Sequence, residues 1–276
     1  MRACIKISIM LIIAMSLMLS SAFAKSYEEI KALFDNQQYD EVIKETTRVL
    51  SKDKGGDKTA ELYYLRGLSY DLLGKIDWAI EDYNKAVNIY PGFGEAYVAL
   101  GQLLIETNEL NAAENAFNSA LELIEEEPIS LTSMGYIRLI QNRVKEARDF
   151  LSRAIATKDA PSQAYANLGY IEYTEGNLDD AQDHLETAIT KNPEDYTAMF
   201  TLGLVYMLKN DFMQASDCLK KVVENNPEDL EAHLAIAKSY EQLGLKEAAI
   251  NHLNEALKLS PNNNNISNWL NRLKEE

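Results

Sequence analysis

Three side chains with metal-binding chemistry recur at one spacing. His184, Cys218 and His252 are each 34 residues apart. Imidazole and thiolate are both zinc ligands, and ligands on one zinc all lie ~2 Å from the ion. Packed helix axes, by contrast, are ~8–10 Å apart. If the 34-residue interval marks stacked structural repeats, the three side chains form a spaced row, and no metal is expected. His233 stands outside this series and reads as a packing residue.

Other catalytic signals are incomplete. Gly74-Lys75 echoes a phosphate-binding loop, but lacks the spaced upstream Gly and the following Ser or Thr. Gly55, Gly56, Lys58 and Thr59 fall short in the same way. No G-x-S-x-G or H-E-x-x-H motif is present. The acidic residues lie mostly on polar helix faces, where solvation accounts for them. The chain therefore reads as a non-enzyme without metal or cofactor. A small hydrolytic or carbohydrate-binding protein is the alternative, since aromatic side chains also stack on sugars.

Charge narrows the partners. The 276-residue chain carries a net charge of −16, which should repel nucleic acid and anionic headgroups. Arg2 and Lys6 precede an apolar run from Ile7 to Leu19, and Ala22-Phe23-Ala24 supplies an A-x-A cleavage site. This is the layout of a secretory signal peptide over residues 1–24, cut after Ala24 to leave Lys25 first. Export to a periplasm or to the outside is expected, with no stable membrane insertion afterwards. One cysteine, Cys218, then remains, so packing alone must hold the fold.

The elements that position these residues follow from an internal repeat. Gly67, Gly101, Gly135, Gly169 and Gly203 share the 34-residue spacing, and so do Ala79, Ala113, Ala147, Ala181, Ala215 and Ala249. Six repeats result, at 60–93, 94–127, 128–161, 162–195, 196–229 and 230–263. Each reads as two helices. The break at position 15 holds only Gly or Asn: Gly74, Asn108, Asn142, Gly176, Asn210 and Gly244. Those residues tolerate the left-handed conformation that ends a helix. Gly at position 8 lies inside a helix, where it costs about 1 kcal/mol relative to Ala. Its recurrence implies a close helix contact, shared by Ala at positions 20 and 27.

Leu100-Gly101, Leu168-Gly169 and Leu202-Gly203, with Tyr70, Tyr206, Tyr240, the Ala series and Pro91, Pro193, Pro227 and Pro261, resemble the tetratricopeptide repeat family. The resemblance implies an all-α fold, a right-handed solenoid of antiparallel helix pairs. Position 4 never holds the family's Trp, and Arg138 and Glu172 replace Tyr at position 11. These two suggest an ion pair between adjacent repeats. Residues 25–59 read as a degenerate repeat and loop. In 264–276, Ile266, Trp269, Leu270 and Leu273 form one apolar helix face, read as a C-terminal cap.

The resemblance also places positions 2, 5, 9, 12 and 13 of the first helices in a concave groove. From the third to the fifth repeat these positions are mainly aromatic and aliphatic, and they include Tyr136, Leu139, Ile140, Tyr170, Tyr173, Phe200, Leu204, Met207 and Leu208. Such a surface marks a binding site. The expected ligand is a protein or peptide, as an amphipathic helix or an extended apolar segment, held by an exported scaffold that assembles an envelope or secreted complex. Oligomeric state is left open.

Overall fold

A computed structural model describes residues 25–52 and 57–275 of the chain. Among the described residues it contains fifteen α-helices and no strand. The expected signal peptide, residues 1–24, lies outside them. The chain divides into two compact units, one ending at Glu125 and the other starting at Glu126.

In the first unit, α1 (Tyr27–Asp35) and α2 (Tyr39–Leu50) precede α3 (Asp57–Leu72), α4 (Ile76–Ile89), α5 (Gly94–Glu106) and α6 (Leu110–Leu123). Ser26 starts α1 with a capping box: its Oγ accepts from the Glu29 amide, and Glu29 accepts from the Ser26 amide. Ile30 and Val42 of the first pair share a core with Leu62 and Leu65 of α3. The degenerate pair therefore packs as a repeat does.

In the second unit the pairs are α7 (Pro128–Ile140) with α8 (Val144–Ala156), α9 (Ser162–Glu175) with α10 (Leu178–Lys191), α11 (Tyr196–Leu208) with α12 (Phe212–Asn225), and α13 (Leu230–Gln242) with α14 (Lys246–Leu259). A last helix, α15 (Asn264–Glu275), follows. Asp195 and Asp229 cap α11 and α13, each accepting from a backbone amide at 2.9 Å. All six position-15 residues have positive φ, from 57° at Asn142 to 81° at Gly176. The turn inside each pair is thus left-handed, and this is why only Gly and Asn stand there.

Position 8 fits against position 24 of the same repeat. A β-carbon on Gly135 would lie 2.6 Å from Leu151 Cγ, and one on Gly203 would lie 2.7 Å from Leu219 Cγ. Ala147, Ala181 and Ala215 are fully buried beside these contacts. The small residues let the two helices of a pair close together, which recovers the cost of placing glycine in a helix. At the C-terminus, Ile266, Leu270 and Leu273 of α15 bury against Ala249, Leu253 and Ala256 of α14. They remove this face of α14 from water.

Candidate binding face on the first helices

The nine residues singled out above all sit on α7, α9 and α11 of the second unit. Successive first helices α7, α9, α11 and α13 touch one another, so their outer positions form one surface. The structure sorts the nine into two kinds. Tyr136, Ile140, Tyr170 and Leu208 are exposed, at 42, 50, 50 and 57%. Leu139, Tyr173, Phe200, Leu204 and Met207 are half-buried. Phe200, Leu204 and Met207 pack on Leu219, Ala235 and Ile236, and Tyr173 packs on the core around Ala181 and Leu185. The half-buried residues form the floor of the face, and the exposed ones stand above it.

Charge is nearly missing here. One residue in four of the whole chain is charged. Helix α11 contains no charged residue, and α7 contains only Arg138, which is buried. Helix α9 contains Glu172, also buried, and Glu175 at its end. The charges of these repeats lie on the second helices, as in α10 with Asp179, Asp180, Asp183 and Glu186.

Polar groups at position 11 tie α9, α11 and α13 each to the second helix of the repeat before it. Glu172 accepts from Arg148 of α8 and, at 2.7 Å, from Asn177 Nδ2. Arg148 also reaches Glu175 at 2.8 Å. Burial pushes the Glu172 carboxyl up, but the bonds from Asn177 and Arg148 outweigh it and hold it below the usual range. Tyr206 Oη donates to Glu186 Oε1 of α10 at 2.7 Å. Burial and this carboxylate raise the Tyr206 phenol, so it stays protonated. In the next repeat, the Lys220 ammonium of α12 lies 5.6 Å from the centre of the Tyr240 ring.

These contacts correct the expected Arg138–Glu172 pair. Glu172 takes its cation from Arg148, whereas Arg138 donates to Gln141 at 3.1 Å and lies 3.5 Å from Glu146. In α9, α11 and α13, position 11 turns toward the preceding second helix, not toward position 11 of the preceding first helix.

His184, Cys218 and His252 sit on three different helices, α10, α12 and α14. Among the described residues, no three His, Cys, Asp or Glu side chains converge as metal ligands. His233, read as a packing residue, is buried and also meets His252 through a hydrogen bond within the last repeat. Leu72 and Trp78 of the first unit, which the repeat pattern does not mark, are 57 and 59% exposed at the α3–α4 turn. Among the described residues, no helix is long and apolar enough to cross a membrane.

Models of the tetratricopeptide repeat match residues 60–93, 94–127, 172–239 and 230–263. The chain belongs to the tetratricopeptide repeat family. Its all-α helix pairs are those of a tetratricopeptide solenoid, and solved structures agree. It is similar to a chain of the APC/C hetero-tetramer Cut9–Hcn1, at 20% identity and a TM-score of 0.67, covering 88% of this chain. This chain spans about half the length of that one, 48%. It is similar to Pseudomonas aeruginosa pilF at 18% identity and a TM-score of 0.67, over 78% of this chain and 98% of the other. YrrB, described as a TPR protein with an unusual peptide-binding site, matches at 21% identity and a TM-score of 0.57, over 69% of this chain and 97% of its own.

Proposed function

We propose that the chain is a non-catalytic scaffold that holds a peptide segment of a protein partner on the first-helix face of its third to fifth repeats. The observation that carries this reading is the exposed, almost charge-free apolar surface of α7, α9 and α11 in an otherwise acidic chain. An exposed apolar patch costs solubility unless something covers it. Tyr and Met adapt to varied contacts. The neutrality of the face selects for an uncharged apolar segment, presented as an amphipathic helix or an extended strand. YrrB, which shares the fold, is described as having a peptide-binding site.

The leader at 1–24 supports a place outside the cytoplasm, with the partner in an envelope or secreted assembly. Mass measurement of the protein recovered from cells tests this part, because cleavage after Ala24 leaves Lys25 at the amino terminus.

The binding reading is tested by placing a photoreactive residue at Tyr170 in cells and identifying what it crosslinks. The companion variant is Tyr170→Glu with Leu208→Glu. Both positions are exposed, so the fold should survive two added charges. The wild-type chain should capture its partner and the double variant should not. Undiminished capture by the double variant ends the proposal.

A further inference from the structure

The chain has three histidines, and two of them meet inside the last repeat. His233 of α13 and His252 of α14 approach through their Nδ1 atoms at 3.0 Å. Their ring centroids are 5.2 Å apart, so the rings meet head-on. His233 Nε2 lies 3.1 Å from the Pro227 carbonyl oxygen. A carbonyl only accepts, so this Nε2 bears a hydrogen. In neutral His233 the Nδ1 is then an acceptor, and His252 Nδ1–H must be the donor.

This arrangement limits the protons the pair can hold. One added proton is tolerated. The pair then still has a single hydrogen between the two Nδ1 atoms, with one ring donating and the other accepting. A second proton puts an N–H on both Nδ1 atoms, so two positive rings face each other with no acceptor between them.

The surroundings do not relieve that repulsion. His233 is buried. From α12, Lys220 adds positive charge near His252. From α13, the Tyr240 ring packs 5.8 Å from the His252 ring. From α14, Glu255 favours a charged imidazole, but Lys258 already bonds its carboxylate at 2.6 Å. Burial, His233 and Lys220 together outweigh Glu255 and hold His252 below the ordinary imidazole range. His252 lines an open hollow with Asn251, Asn254, Glu255 and Lys258, which gives protons a route from solvent.

We propose that the His233–His252 contact is an acid-released clasp: at neutral pH it ties α13 to α14 and to the turn at Pro227, and uptake of a second proton opens it. With His252 depressed in the folded state, the unfolded chain binds more protons. Stability from the pair is then present above about pH 6.5 and is lost as pH falls below it. The clasp also backs the binding face. Phe200, Leu204 and Met207 rest on Ala235 and Ile236 of α13, so opening it loosens the floor of that face in the fifth repeat. This last consequence rests on the binding reading above, whereas the clasp itself does not.

Amide hydrogen exchange of the full chain, corrected for the intrinsic pH dependence of exchange, tests the clasp without any ligand. Between about pH 7.5 and about pH 5, either side of the imidazole range, α13, α14 and α15 should lose protection while α9 and α10 keep theirs. The His252→Gln variant, whose amide can still donate to His233 but takes up no proton, should not show this loss. Nitrogen-15 spectra of the wild-type imidazoles give a second readout. They should show a hydrogen on Nε2 of His233 and on Nδ1 of His252 at neutral pH. Equal loss of protection in every helix overturns the clasp, as does a Gln variant with the wild-type loss. So do spectra showing both rings charged at about pH 5 with α13–α15 still protected. Should the Gln variant fail to fold, the wild-type spectra decide. Failure of the clasp leaves the peptide-binding reading intact, and failure of peptide capture leaves the exchange result intact.

Discussion

Gly169 of α9 faces Leu185 of α10 so closely that a β-carbon on the glycine would lie 2.6 Å from Leu185 Cγ. No side chain fits there unless the leucine moves, and Leu185 is almost fully buried. Gly169→Leu should overpack this contact and destabilise the chain by about 1–3 kcal/mol. The effect should depend on its partner. In a Gly169→Ala, Leu185→Ala double variant the new methyl enters the vacated space, and the two costs should sum to more than the double variant loses. Urea melts of the four proteins check this. Strict additivity would show that the contact is not the one limiting the helix approach.

Much of this geometry was legible from residue types alone. Gly or Asn at position 15 leaves few backbone options, and all six residues there have positive φ. Recurrent Gly at position 8 contradicts helix propensity, and that contradiction pointed to close packing. Polar partners were harder to read. Arg138 and Glu172 share a position and opposite charge, yet Glu172 bonds Arg148. Spacing alone does not show which way a side chain turns around its helix. His233 and His252 occupy positions 4 and 23 of one repeat, as do Tyr165 and His184, whose rings lie 6.4 Å apart. The juxtaposition was present in the register, but no single repeat marked it as a contact. Exposure was also hidden: at position 9, Tyr170 is exposed and Leu204 half-buried, because neighbouring helices cover them unequally.

Arg148→Met should expose the cost of burying Glu172. The Glu172 side chain is 7% exposed and that of Arg148 is 34%. Breaking a fully buried pair costs about 3–5 kcal/mol, and solvent at the arginine end should reduce this to about 1–2 kcal/mol. The deficit should depend on pH. Glu172 is held below the usual carboxylate range, so it contributes stability above about pH 4.3 and loses it as pH falls. The variant should therefore lag the wild type at neutral pH and approach it in acid. Melts across that window check the prediction, and a deficit independent of pH contradicts it.

The cap on the last repeat should act locally. Leu270 is buried against α14, and Trp269 and Arg272 both donate to Glu241 of α13. Leu270→Ala removes packing between α15 and α14. The cost should be about 2–4 kcal/mol, within the range for truncated core leucines. In a stacked array each repeat leans mainly on its neighbours. Hydrogen exchange should therefore rise in α13, α14 and α15 while α7 and α8 keep their protection. A uniform rise would mean that the second unit unfolds as one block.

Binding and stability should separate on the first-helix face. Leu208 is 57% exposed, so Leu208→Glu should alter stability by less than about 0.5 kcal/mol, as for a surface change away from the core. A carboxylate there has no cation among the residues of α11, which are all uncharged. It should reduce the affinity for an uncharged apolar peptide by tenfold or more, about 1.4 kcal/mol. Phe200 differs because it packs on Val222, Ala235 and Ile236 beneath the surface. Phe200→Ala should cost about 1–3 kcal/mol of stability, less than the about 3–5 kcal/mol of a fully buried phenylalanine, and should weaken binding as well. Peptide titrations and thermal melts on the same two proteins distinguish these roles. If Leu208→Glu binds as the wild type does while Phe200→Ala does not, the ligand enters between helices rather than lying across them, and the exposed side chains are not its contacts.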